Sequence, residues 1–168
     1  MSERSLLAYE AYREASQKFD YFVTGLTGTL CAFIGTTFEP SKIDFSPQTM
    51  ELLALCMLVS SVLAGFKRIE VTIETHKFNH HLLHTNEGIG KLVTEFNGKP
   101  IVNKDTGHVY SPKDVPRAIE ILKEKLPPIE KRLEVLLIES GFYYKTRNIL
   151  LFVGFSVLVA SRVWTAYL

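Results

Sequence analysis

The sequence predicts a mainly α membrane protein: three transmembrane helices extended into a cytosolic helical bundle, with a small cap containing a β-hairpin. Three observations carry that reading. Apolar residues gather into runs at about 19–38, 48–66 and 149–168 of a 168-residue chain. Each run is close to the ~20 residues a helix needs to cross a bilayer core of ~30 Å. Two further stretches, 67–87 and 128–148, keep helical periodicity beyond the runs. Finally, the segment between those stretches changes character and carries Asn97-Gly98, the dipeptide suited to a type I′ hairpin turn.

Composition narrows the class. Hydrophobic residues at 46% would also fit a soluble domain, so the clustering decides. A net charge of +1 gives no electrostatic case for nucleic acid. The opening MSERSLLAYEAYREASQK lacks the short apolar core of a cleavable signal.

Residues 1–18 form an amphipathic cytosolic helix, with Ala8, Ala11, Tyr12, Ala15 and Phe19 on one face and Glu10, Arg13, Glu14 and Gln17 opposite. No Pro or Gly separates it from the first span, so one rod from Ser5 to Phe38 is expected. The alternative is a flat interfacial helix that bends near Asp20. Residues 39–47 form a short external loop. Ser46-Pro47 then reads as N-cap and first residue of the second span.

The second span continues into a stalk that Gly88 and Gly90 are expected to end. In the cap, 88–127, LVTEF and KPIVN read as hairpin arms, HVY as a third short strand, and Ser111-Pro112 as the start of a helix to Leu126. Pro127 and Pro128 open the second stalk, which leads into the third span.

Basic residues orient the chain. Lys67, Arg68, Lys145 and Arg147 flank the middle segment, while the 39–47 loop has only Lys42 against Glu39 and Asp44. The N-terminus and residues 67–148 are therefore expected in the cytoplasm and the C-terminus outside. In a bacterium this means the inner membrane. Aromatic clusters at both rims agree, Phe142 to Tyr144 inside and Trp164 and Tyr167 outside.

The densest constellation is histidine. His76, His80 and His84 stand at i, i+4 and i+8, the spacing that lets imidazoles share a metal such as Zn²⁺. The competing reading is a polar layer inside the bundle, hydrogen-bonded to neighbouring helices, and a third is a pH response. Ile73 and Leu83 on the same face predict that it points inward. No second metal box supports a cofactor.

The first span carries Thr24, Gly28, Ala32 and Gly35, a small-residue stripe that lets helix backbones approach within the chain or between copies. Asp20, Glu51 and Arg162 are charges at membrane depth, where pairing is usual. Asp20 has Lys67, Arg68 or Arg147 within reach, and Glu51 and Arg162 fall at matching depths. Cys31 and Cys56 read as packing residues.

No nucleophile–base pair or phosphate loop is legible, so the chain is expected to be non-enzymatic. The leading expectation is a self-associating membrane protein whose bundle and cap receive a partner or signal, with membrane permeability as an output. Rival readings are an accessory subunit of a larger membrane complex and a metal-binding protein using the stalk histidines. In architecture alone the plan resembles small bacterial membrane effector and channel-like proteins, which assigns no activity.

Overall fold

The computed structural model describes residues 3–39, 43–95, 101–102, 107, 109–111 and 113–167. It is mainly α. Among the described residues four helices follow in order: α1 (Glu3–Thr37), α2 (Pro47–Glu95), α3 (Val115–Glu124) and α4 (Leu126–Tyr167), with β1 (Ile101–Val102) and β2 (Val109–Tyr110) between α2 and α3. Two helical stretches, Pro47–Thr94 in α2 and Val115–Tyr167 containing α4, are long and apolar enough to cross a membrane. α1 is not among them, because Gly and Thr dilute its apolar run.

Local chemistry explains the helix ends. Ser46 caps α2: its carbonyl accepts from Met50 N–H at 3.2 Å and its Oγ from Thr49 N–H at 3.4 Å. Pro47 follows where an unpaired N–H costs nothing. Pro127 and Pro128 occupy the first turn of α4 for the same reason.

The chain divides into two compact units, Met1–Val71 with Glu139–Leu168, and Thr72–Ile138. The first packs α1 with parts of α2 and α4. Its core is Ile34, Ala54, Leu58 and Leu158, with Leu30, Cys31, Leu55, Leu151 and Val157 against it. Asp20, Thr24, Thr27 and Ile34 form the buried face of α1, spaced three, four or seven apart as one side of a helix requires. Helices come close where side chains are absent. A Cβ at Gly65 would lie 2.5 Å from Thr24 Oγ1, and one at Gly154 would lie 3.1 Å from Met57 Cβ.

The second unit buries Leu92 and Val115 against Ala118, Ile119 and Leu122. Arg132 reaches Glu74 at 3.0 Å. Here the structure corrects the sequence reading. Gly88 and Gly90 do not end α2, and the LVTE segment expected as a hairpin arm is its last turn. A Gly in a helix costs about 1 kcal/mol, but continuing the helix carries Leu92 onto α3. Gly88 sits in the same contact, where a Cβ would meet Leu122 Cδ1 at 3.7 Å.

Asn97-Gly98 lies outside the described residues. Among the described residues the strands form a two-residue antiparallel ladder, Ile101 opposite Tyr110 and Val102 opposite Val109, which joins the KPIVN and HVY segments rather than LVTEF and KPIVN. α3 begins at Val115 rather than Pro112. Ser111 to Asp114 instead forms a turn, with Asp114 N–H donating to Ser111 O at 2.8 Å. Lys125 breaks the helix at its far end, donating to Leu122 and Lys123 carbonyls before α4 starts.

Candidate functional site

A buried polar group joins three helices of the first unit. Asp20 comes from α1, Arg68 from α2, and Tyr144 and Arg147 from α4. Asp20 is 5% exposed and Arg147 1%. Arg68 Nε donates to Asp20 Oδ2 at 2.7 Å and Arg147 Nη1 to Asp20 Oδ1 at 2.8 Å. Arg147 also gives Nε and Nη2 to Asn148 Oδ1 at 3.1 and 3.0 Å. The guanidinium carbons of Arg68 and Arg147 lie 4.1 and 5.4 Å from the Tyr144 ring centre.

One carboxylate thus serves two guanidiniums. Guanidinium does not give up its proton in proteins. The arrangement therefore fixes helices and concentrates charge rather than moving protons. Breaking a buried pair is costly because it leaves an uncompensated charge. At the exposed edge, a hydrogen bond to Glu70 at 2.8 Å holds the Lys67 ammonium above its ordinary pKa. Both side chains are mostly exposed, so this pair adds little stability.

A second ion pair joins α2 and α4: Arg162 Nη2 donates to Glu51 Oε1. Glu51 is nearly buried while half of the Arg162 side chain is exposed. Next to it Ser161 Oγ donates to the Pro47 carbonyl at 2.8 Å, and toward the other end of the same helices Ser61 Oγ donates to the Arg147 carbonyl at 2.9 Å. Most other hydroxyls bond within their own helix, as Thr27 Oγ1 does to Val23 O at 2.7 Å and Ser156 Oγ to Phe152 O at 2.9 Å. Thr24 Oγ1 is the exception, buried against Gly65 with no hydrogen-bond partner among the described residues.

Of the two contacts open to the small-residue stripe of α1, within the chain or between copies, only Thr24 is placed against another helix of the described chain. Thr24 is buried, but Gly28 and Gly35 have nothing within 4 Å of a Cβ position, and Ala32 is exposed. The buried face of α1 is rotated from that stripe toward Asp20, Thr27 and Ile34, because the ion-pair node and the apolar core set its rotation.

The histidines also differ from expectation. His80, His81 and His84 are exposed, and only His76 is half-buried, so the face does not point into the bundle. Ile73 and Leu83, expected to hold it inward, are themselves more than half exposed. The His80 and His84 rings lie 6.4 Å apart, 22° from parallel, and His80 meets His81 edge-on at 6.2 Å. Among the described residues no three His, Cys, Asp or Glu side chains are placed to share a metal. Cys31 and Cys56 are free thiols.

Sequence reading did not find four of these contacts. Tyr144 precedes Arg147 by three residues, one helix face, which is a signal for a ring beneath a guanidinium. Ser61 and Ser161 are hydroxyls isolated in apolar runs. Gly65 stands alone in its run, and nothing local marks it. Comparison with protein-family models, curated proteins and solved structures finds no match for this chain.

Proposed function

We propose that the chain is an integral membrane protein of three spans, 19–38, 48–66 and 149–168, that associates with copies of itself. Its cytosolic middle segment takes up a partner or signal, with membrane permeability as the output. The observation that carries this reading is the reversed polarity of the first unit. Its outward side chains include Phe22, Leu26, Phe33, Leu63, Phe152 and Val163, while Asp20, Thr24, Thr27, Ser61, Arg147 and Ser161 are inside. Water favours the opposite arrangement. Lipid favours this one, where polar groups must find partners inside the protein.

The same argument supports α1 as the third span despite its diluted run. Phe19, Phe22, Leu26 and Phe33 face outward from it. Its threonines turn inward or bond back to their own carbonyls, as Thr29 does to Gly25 and Thr36 to Phe33. Back-bonding removes much of the cost of a hydroxyl in lipid.

Orientation follows the basic residues, with the N-terminus and 67–148 in the cytoplasm. A cysteine at Lys113, in a chain with Cys31→Ser and Cys56→Ser, is expected to react with an impermeant maleimide only from the cytoplasmic side. Labelling from outside alone reverses the topology.

Self-association is supported by the open ground around Gly28 and Gly35, where another helix backbone can approach closely. The purified chain in mild detergent is expected to have a protein mass that is a multiple of 19.0 kDa. Gly28→Leu should reduce that mass to a single chain without lowering thermal stability, since no neighbouring helix among the described residues lies within 4 Å of a Cβ there. A single-chain mass for the wild type, or purification only in fixed ratio with another protein, replaces this reading with that of an accessory subunit.

A further inference from the structure

We propose that His80 and His84 are one half of a Zn²⁺ site that a second copy of the chain completes with the same two residues. The proposal rests on the self-association reading and names a contact through which it occurs. The two imidazoles project from successive turns of α2 into solvent, their rings 6.4 Å apart and 22° from parallel. Histidines at i and i+4 on one helix face are a recurrent Zn²⁺-binding pair, and one ion between them needs only small side-chain rotations. Zn²⁺ asks for four ligands in a tetrahedron at about 2.0–2.1 Å for imidazole nitrogen. One chain supplies two.

The missing ligands are not on the same chain. No third donor among the described residues is placed with the pair. His81 lies about 100° further round the helix and meets His80 edge-on. His76 is half-buried and has interactions of its own. A second copy meets the requirement through symmetry. Copies inserted in one bilayer share their orientation, so a two-fold axis along the membrane normal brings the same helix face of each to the same height. Four imidazoles then converge.

Ile73 lies in line with the pair, two turns earlier, and is 58% exposed, an apolar residue for which the single chain provides no cover. Lys77 lies between them, and its long stem lets the ammonium turn to water. The imidazoles bind Zn²⁺ in their neutral form: each nitrogen displaces a water from the ion, and any proton an imidazole carries goes to solvent.

The test uses the full chain without a histidine tag, in detergent, as wild type and as Gly28→Leu, in chelator and with added Zn²⁺. Bound metal and protein mass are measured together. The expected result is one Zn²⁺ per two chains, with Gly28→Leu doubling its mass on Zn²⁺ addition. His80→Ala with His84→Ala should weaken Zn²⁺ binding at least tenfold and abolish the doubling at unchanged helix content. His76→Ala should keep both.

One Zn²⁺ per chain at unchanged mass, no bound Zn²⁺, or undiminished binding in the double variant overturns the site. If the wild type assembles in chelator yet takes no Zn²⁺, the site fails and self-association stands. If it is a single chain in chelator and pairs only with Zn²⁺, the site stands and metal-free association fails.

Discussion

Asp20→Leu is expected to destabilise the chain by about 3–5 kcal/mol, the range for removing one partner of a buried ion pair. The substitution leaves two guanidiniums facing each other, and one of them, Arg147, is 1% exposed and cannot reach water without moving α4. Arg147→Met should cost less, because Asp20 then keeps Arg68 at 2.7 Å and no buried charge is left without a partner. Asp20→Leu with Arg147→Met should be more stable than Asp20→Leu alone, since the remaining Arg68 has Tyr144 beneath it and some access to the surface. Reversible unfolding in detergent, followed by circular dichroism, gives the three values. If Asp20→Leu costs under 1 kcal/mol, or the double variant loses the sum of the singles, the node does not hold the helices together.

That ordering comes from counting charges within one contact, which the sequence only partly permits. Asp20 at the edge of an apolar run announces a need for a cation, and Arg68 and Arg147 are visible as candidates at the same depth. The equal alternative, Lys67, is excluded only by helix rotation, which directs it to Glu70. The Glu51–Arg162 pair is legible for a simpler reason. Both residues sit a similar distance from the same side of antiparallel-related runs, and few other charges are near.

Helix type was readable wherever an apolar run exceeded a few turns, since period and length agree there. It failed where a weak local signal met a tertiary one. Gly88 and Gly90 argue for a chain reversal. One buried leucine, Leu92 against Val115, outweighs them and extends α2. The histidine face failed likewise. Ile73 and Leu83 suggested an interior, but apolar residues are also common on surfaces, and periodicity alone does not distinguish a face covered by its own chain from one left uncovered. The rotation of α1 was hidden too. Its small-residue stripe and its true contact face differ by less than half a turn, and only the position of Asp20 against two arginines decides between them.

The second large effect lies at that contact. Gly65→Ala is expected to cost about 1–3 kcal/mol, the range for overpacking a fitted interior. The new methyl would stand 2.5 Å from Thr24 Oγ1, 3.0 Å from Cγ2 and 3.3 Å from Cβ. Thr24 is β-branched and stiff about χ1, so rotation exchanges one clash for another and α1 must move away from α2. Moving it pulls on Asp20, one turn earlier on the same face. Thr24→Ala has the opposite expectation. It removes a buried hydroxyl that has no hydrogen-bond partner among the described residues, a group whose burial costs about 1–3 kcal/mol. It should therefore be neutral or stabilising despite the small void it leaves. Combining Thr24→Ala with Gly65→Ala refills that void with the new methyl, so the pair should be clearly more stable than Gly65→Ala alone, with a coupling of about 0.5–3 kcal/mol. Thermal unfolding of the four proteins in one detergent measures it. Additive effects, or a Thr24→Ala loss above 1 kcal/mol, would show that the hydroxyl is satisfied and that α1 and α2 do not meet through Gly65.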